Sequence, residues 1–445
     1  MKYASALLAA GLFASSAAAT LSPIVTYGNA FFDSKTGDRF YIRGVDYQPP
    51  NEAGETIDPL ADSDVCGRDI PVLEALGINT IRVYNVDNSA DHSDCMKQLD
   101  DAGIYLVLDV STADQAISRE YPEYSYNEVL LQHVFATVDA FSDYTNVLAF
   151  FAGNEVINSV NNTNAATIVK AVIRDMREYI SKQASRTIPV GYSAADVSEN
   201  RYQMAHYLNC GSDAGARADF FAFNDYSWCG DSSYTVSGYN EKVANFANYS
   251  IPLFFSEYGC NLVQPRTFTE VESIYSEKML SVFSGGMVYE YSEDTNNYGL
   301  VSVNYDNSSV TERSDYTYLQ AEYKKTANPS GNGTFSADND ISDCPAYVKG
   351  SWEANNTLPA LPSKASSYMT AGAGTPLGSD GPSNQWTPDE TTVDTSALYT
   401  ATSTAEAEST ADGSATATAS ATETMWVVPS LAVLVSFLMA GAVGF

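Results

Sequence analysis

Eight short runs of β-branched and aromatic residues, each followed by a stretch with helical spacing, fill the sequence from residue 38 onward and leave few ways to fold it. The runs occupy 39–47, 79–85, 104–110, 147–155, 188–193, 219–226, 252–258 and 286–292. Helical segments fall between them at 68–76, 93–102, 126–144, 165–182, 201–208, 240–247 and 268–283, and an eighth near 315–325 completes the set. Strand and helix in alternation build βαβ units, whose strands are parallel. Eight units over about 255 residues predict one α/β domain, a closed (β/α)8 TIM barrel. The first strand-to-helix turn has no G-x-G-x-x-G, which argues against an open dinucleotide-binding sheet.

Both ends of the chain read as addresses. Residues 1–19 combine an early Lys2, an apolar stretch and the small-residue close Ala17-Ala18-Ala19, the pattern of a secretory signal peptide. Residues 425–445 carry no charge, and small residues around Gly413 precede them by a polar spacer. Small site, spacer and apolar tail make a GPI-attachment signal with Gly413 or a neighbour as the lipidated residue; a retained tail-anchor helix is the alternative. The expected division is signal peptide 1–19, catalytic domain 20–344, Ser/Thr/Pro-rich linker 345–413 and attachment propeptide 414–445. Residues 400–424 are nearly half Ser or Thr and contain no aromatic, so they cannot bury enough apolar surface to fold and read as a stalk.

A secretory route agrees with five N-x-S/T sequons, at Asn161, Asn248, Asn307, Asn332 and Asn355. It also agrees with six cysteines, Cys66, Cys95, Cys210, Cys229, Cys260 and Cys344, an even number without zinc-type spacing. Three disulfides are expected, and the count by itself permits 15 pairings. The chain carries 55 Asp and Glu against 23 Lys and Arg, for a net charge of −32. That balance excludes nucleic acid as a partner, because such binding rests on basic groups neutralising phosphates.

In a barrel of this kind, reactive groups come from the C-terminal ends of the strands. Glu155 and Glu257 each close a strongly apolar run, on the fourth and the seventh strand. Two carboxyls across one barrel mouth are what glycoside cleavage requires, one to protonate the leaving oxygen and one to attack or to activate water. His92, His133 and His206, the only histidines, fit no metal or Ser-His-Asp spacing and read as structural. No cofactor and no metal are expected.

Six strings fall in order on the strand ends: Gly44-Val45-Asp46-Tyr47-Gln48-Pro49, Asn79-Thr80-Ile81-Arg82-Val83-Tyr84, Gly153-Asn154-Glu155, Asn224-Asp225-Tyr226-Ser227-Trp228-Cys229-Gly230, Ser256-Glu257-Tyr258-Gly259-Cys260 and Gly286-Met287-Val288-Tyr289-Glu290-Tyr291-Ser292. With them the chain resembles the fungal GPI-anchored cell-wall β-1,3-glucanosyltransferases of glycoside hydrolase family 72, over about residues 22–344. No cysteine follows Cys344, so the resemblance is to the short form without a Cys-rich carbohydrate-binding module. It implies a retaining enzyme that cuts an internal β-1,3-glucan bond and passes the new end to another glucan's non-reducing end. Glu155 would be the acid/base and Glu257 the nucleophile. Sugar-binding roles would fall to Gln48, Tyr84, Asp109, Asn154, Tyr226, Tyr289 and Tyr298, and the bridges would be Cys66–Cys95, Cys229–Cys260 and Cys210–Cys344.

Two other activities use the same features. A plain endo-β-1,3-glucanase would give the glycosyl-enzyme to water, and a non-catalytic wall glucan-binding protein would be expected to have lost a carboxylate. The expected partners are donor and acceptor glucan chains and, through the anchor, the outer leaflet of the plasma membrane. The expected state is a monomer at the cell surface and wall.

Overall fold

A Gly28-Asn29 turn opens the fold, with Gly28 at φ 55°, a left-handed conformation that glycine adopts at little cost. It joins β1 (Ile24–Tyr27) to β2 (Ala30–Asp33), and β3 (Arg39–Phe40) completes an antiparallel sheet of three strands. The computed structural model describes residues 20–50, 58–304, 308–329 and 334–389. The signal peptide, Asn307, Asn332 and Gly413 lie outside the described residues.

The next eight strands form the expected closed barrel. They are β4 (Ile42–Asp46), β5 (Thr80–Val83), β6 (Tyr105–Asp109), β7 (Val147–Asn154), β8 (Val190–Ala194), β9 (Phe220–Asp225), β10 (Leu253–Tyr258) and β11 (Phe283–Val288). Each pairs in parallel with the next, and β11 returns to β4 through Gly286–Arg43 and Val288–Val45. A hairpin of β12 (Val301–Asn304) and β13 (Ser309–Glu312) follows. The helices are α1 (Ser63–Leu76), α2 (Ser93–Asp101), α3 (Pro122–Ser125), α4 (Glu128–Phe141), α5 (Ala166–Gln183), α6 (Arg201–Leu208), α7 (Tyr239–Asn245), α8 (Glu270–Ile274), α9 (Glu277–Leu280), α10 (Ser314–Lys325) and α11 (Tyr368–Ala371). Side chains start α1 and α4. The Asp62 carboxylate accepts the N–H groups of Asp64 and Val65, and the Asn127 amide oxygen those of Val129 and Leu130.

Large rings fill the barrel. Phe151, Phe220 and Phe254 lie with centroids 5.4 to 6.1 Å apart. From the N-terminal sheet, Phe31 closes the lower end at 6.0 Å from both Phe220 and Phe254. The barrel is therefore a packed core with one usable mouth, at the strand C-terminal ends.

Two expectations at element level need correction. The helix expected over 268–283 is two short helices, because Ser276 is extended at φ −77°, ψ 154° and breaks the run. The last strand starts three residues early, at Phe283, which leaves Tyr289, Glu290 and Tyr291 on the loop beyond it. The N-terminal sheet itself went unread, although a Gly-Asn pair between apolar runs is a hairpin signal.

The larger correction concerns residues 345–388, expected as linker. They pack along the outside of the barrel as a strap. Trp352 is 2% exposed and meets Tyr207 edge-on at 5.6 Å. Arg174 donates to the Pro359 carbonyl at 2.8 Å, Tyr368 reaches Phe135, and the Gln132 amide donates to the carbonyls of Ala373 and Thr375. Apolar residues here are too widely spaced to show a period, and apart from the short α11 the strap is held by hydrogen bonds, among them those to α4 and α5. The disulfides are Cys66–Cys95, Cys229–Cys260 and Cys210–Cys344. Asn161, Asn248 and Asn355 are exposed.

A strap of this kind belongs to the cooperative unit. A chain ending after residue 344 should be secreted poorly and melt well below a chain ending after residue 389. Trp352→Ala in the longer form should cost about 3 to 5 kcal/mol. Thermal melts of the three proteins test this, and equal melting temperatures would return 345–388 to the status of linker.

Candidate active site

The site begins with a cation where cations are rarely found. β5 is buried along its length, and Arg82 inside it is fully buried. Its Nε and Nη2 donate to the two oxygens of Asp109 at 2.8 and 3.2 Å, and its guanidinium lies over the rings of Tyr84 and Phe151 at 4.1 and 4.6 Å. The bidentate pair offsets the desolvation that burial imposes on both ions. Asp109 is 2% exposed, with both carboxylate oxygens on Arg82.

The third arm of Arg82 reaches the mouth, where Nη1 lies 3.3 Å from Glu257 Oε1. Glu257 comes from β10, which turns it inward after Phe254 and Phe255. Tyr84 donates its phenol to Oε1 at 2.9 Å, and Tyr226 donates to Oε2 at 2.7 Å. Gln48 holds Tyr84 in place: its Oε1 accepts the backbone N–H groups of Tyr84 and Asn85 at 2.9 and 3.0 Å. Glu257 therefore sees donors on both oxygens, an environment that suits an anion.

Burial acts the other way. It pushes the Glu257 carboxyl up to about 7, with nearby Glu155 adding to the rise, while Arg82 and the two phenols oppose it. Glu290 is also pushed up to about 7 by burial, against a hydrogen bond from the Asn296 amide. Asp46, fully buried at the end of β4, is pushed well above the carboxylate range by burial, against Arg82, with Glu257, Glu290 and Asp109 adding. Several carboxyls thus share the field of one guanidinium.

Glu155 follows the last residue of β7 and is only half-buried. Its backbone is left-handed at φ 49°, uncommon for a residue with a side chain and a sign that its surroundings hold it. Ser193 donates to Ser256, Ser256 donates to Asn224 Oδ1, and Asn224 Nδ2 donates to Glu155 Oε1, at 2.9, 2.9 and 2.7 Å. Asn224 and Glu257 are register partners in the β9–β10 pair, which sets the relay beside the second glutamate.

Three half-buried tyrosines rim the opening. Tyr298 meets Tyr226 and Tyr289 edge-on, at 5.7 and 5.2 Å. Arg266, paired with Asp315 at 2.7 Å, donates to the carbonyls of Tyr289 and Tyr298 and so fixes two of the rings. Asn154 ends β7 beside the acid, and its Oδ1 has no partner among the described residues.

The structure brings Gln48, Tyr84, Asn154, Glu155, Tyr226, Glu257, Tyr289 and Tyr298 to one mouth and sets Asp109 behind it. It adds Arg82, Asn224, Ser256 and Arg266, to which the sequence assigned no specific role. Arg82, Asn224 and Ser256 stand in the strand-end strings, and a charge such as Arg82 inside an apolar strand must find a partner. Arg266, on a loop, carries no mark in the sequence. His92 pairs with Asp58, buried His133 accepts packing and a bond with Asn88, and His206 bonds Ser342. Among the described residues no cluster suited to a metal ion occurs.

Residues 13–327 match the glucanosyltransferase family, glycoside hydrolase family 72. The chain is 60% identical over 375 residues to a 1,3-beta-glucanosyltransferase, GAS5, of Saccharomyces cerevisiae, covering 84% of this chain and 77% of that one. It is 55% identical over 355 residues to the 1,3-beta-glucanosyltransferase gel1 of Aspergillus fumigatus, covering 80% and 77%. Among solved structures, a point mutant of Gas2p of Saccharomyces cerevisiae in complex with laminaritetraose and laminaripentaose superposes with a TM-score of 0.72 at 44% identity, covering 78% of this chain and 76% of that one.

Buried carboxyls make stability depend on pH in a definite sense. Glu257, Glu270 and Glu290 are each pushed up to about 7, while an unfolded glutamate titrates near 4.3. Between those values the folded protein holds protons that the unfolded chain has released, so stability falls as pH rises, by up to about 1.4 kcal/mol per unit and group. His133, pushed down to about 4 by burial, and His206, also lowered by burial, work oppositely and are outnumbered by the raised carboxyls. Calorimetry across pH 5 to 8 should show the melting temperature falling, with a shallower slope in Glu270→Gln. A flat or rising profile would contradict the assigned shifts.

Proposed function

The chain belongs to glycoside hydrolase family 72, the glucanosyltransferases, and from that premise we propose that Glu257 is the nucleophile and Glu155 the acid/base of its transfer reaction. The protein is a 1,3-β-glucanosyltransferase that acts by transglycosylation, and it works outside the cell, at the cell wall. Its donor and acceptor are β-1,3-glucan chains, with laminari-oligosaccharides as their short forms.

The reading of the two glutamates is carried by their unlike settings on one mouth. Glu257 is buried with donors on both oxygens, which fix its orientation and oppose the rise that burial imposes on it. Glu155 is half-buried, with Oε1 on Asn224, and stands open to the cleft where a proton must be given and taken back. In the first step Glu257 attacks the anomeric carbon of an internal glucosyl unit. The C1–O3 bond breaks, and Glu155 protonates the departing oxygen. The sugar is then held as an ester on Glu257. In the second step the 3-hydroxyl at another glucan's non-reducing end enters, Glu155 takes its proton, the new C1–O3 bond forms and the ester bond breaks. One β-1,3 linkage is lost and one gained.

The neighbours have matching tasks. Tyr84 and Tyr226 donate to Glu257 and steady the carboxylate that leaves in the second step, and Arg82 favours its ionised form. Asn154 offers its amide to the sugar 2-hydroxyl, a contact that strengthens in the transition state. Tyr226, Tyr289 and Tyr298 present ring faces and hydroxyls to glucosyl units.

Glu155→Gln and Glu257→Gln should each lower transfer by at least about a thousandfold with the melting temperature within a few degrees of wild type. Azide should partly restore turnover of a donor with a good leaving group in Glu155→Gln. Rescue confined to Glu257→Gln would reverse the roles. Products longer than a defined laminari-oligosaccharide substrate identify transfer, and shorter products alone would indicate a hydrolase.

The tail completes the proposal. Residues 1–19 act as a secretory signal and Gly413 or a neighbour receives a GPI anchor, which places the enzyme on the outer leaflet within reach of wall glucan. Among the described residues no helix is long and apolar enough to cross a membrane. Phosphatidylinositol-specific phospholipase should release active enzyme lacking residues 425–445. Recovery of that peptide from mature, detergent-extracted protein would defeat the anchor.

A further inference from the structure

The strap ends at the catalytic face, where it does more than cover helices. Past α11 it crosses the β5–α2 loop, and Gly378 lies there at φ 61° with its N–H on the Asn88 side chain at 3.0 Å. A Cβ on Gly378 would sit 2.2 Å from Asp87 Oδ1, so only glycine allows this approach. Next it meets the loop 111–121, between β6 and α3, which has no strand or helix of its own. Asn384, fully buried, binds that loop from every side. Its amide donates to the carbonyls of Ala116 and Ser125 at 2.9 and 2.7 Å, its Oδ1 accepts the Ala116 N–H at 3.0 Å, and its backbone N–H donates to Asp114 at 3.1 Å. Gln115 returns two bonds, donating to the carbonyls of Gly381 and Pro382 at 3.1 and 3.0 Å.

The loop so held delivers Arg119, whose Nε and Nη2 donate to the backbone carbonyl of Glu155 at 3.1 and 2.8 Å. Glu155 needs outside support, because its left-handed backbone persists only where neighbours over-determine it. Ser193 holds its N–H at 2.8 Å, Asn224 its carboxyl, and Arg119 its carbonyl.

We propose that the strap is a clamp on the acid/base: Asn384 pins the loop 111–121, the loop aims Arg119, and Arg119 fixes the main chain of Glu155. Asn384 and Arg119 are positioning residues, and the role assigned to them rests on the reading of Glu155 as the proton donor. A glucan leaving group needs that proton. A fluoride leaving group does not: when the C–F bond breaks, fluoride departs with the electron pair and the ester forms on Glu257 all the same.

Two donors therefore separate positioning from general damage. Arg119→Ala and Asn384→Ala are compared with wild type on a laminari-oligosaccharide and on a laminari-oligosaccharyl β-fluoride, with transfer followed on the first and the burst of fluoride from the first turnover on the second. Transfer should fall by about tenfold or more, while the burst rate stays within about twofold of wild type. Arg119→Lys should recover part of the loss, and the double variant should be no worse than the worse single one, because both act through one chain of contacts. Equal losses on both donors, or unchanged transfer, or additive losses would overturn the clamp. Arg119 is exposed, so its variants keep the test decisive if Asn384→Ala does not fold. Glu155→Gln run alongside must show the same split between donors; if it does not, the acid/base assignment fails and not the clamp.

Discussion

Everything at the barrel mouth is organised around the buried guanidinium of Arg82. An arginine with no exposure inside a strand is expensive to desolvate, and its two-point contact with Asp109 offsets that cost. Once paid for in this way, the cation has one arm left, and that arm faces Glu257. Asp46, Glu155 and Glu290 stand close enough to raise one another or Glu257. Arg82 opposes the rise that burial and neighbouring carboxyls impose on Glu257 and Asp46. Its ring contacts with Tyr84 and Phe151 tie this electrostatic device to the apolar packing of the barrel.

Around that charge the two glutamates are treated differently. Glu257 is held directly, by phenols on either side. Glu155 is held indirectly, through the Ser193-Ser256-Asn224 relay within the barrel and through the Arg119 contact outside it. Such an arrangement suits the acid/base role proposed for Glu155. The rim of Tyr226, Tyr289 and Tyr298 is similarly supported from behind by Arg266, whose own charge is balanced by Asp315.

Much of this was legible in advance because it rests on local rules. All eight barrel strands appear where runs of β-branched and aromatic residues predicted them, and Glu155 and Glu257 stand at strand ends on one face. The pairing of the cysteines, implied by resemblance and open on their number alone, is the one observed. Asp109 stands at a strand end, which is visible in the sequence, while its pairing with Arg82 is not. Residues 345–388 were misread as linker because a strap held by hydrogen bonds has no hydrophobic period.

By itself, then, the order of residues determined the barrel and the strand-end places of Glu155 and Glu257, since periodicity and strand ends are properties of neighbours along the chain. Tertiary structure alone decided which carboxyl is wrapped in donors and which stands open, that Arg82 spends two arms on Asp109 and one on Glu257, and that Asn384 reaches loop 111–121 across more than 250 residues. Those outcomes depend on burial and on contacts between segments remote in sequence. Charge states and side-chain partners follow from what the fold brings within 3 Å, and no spacing along the chain encodes that distance.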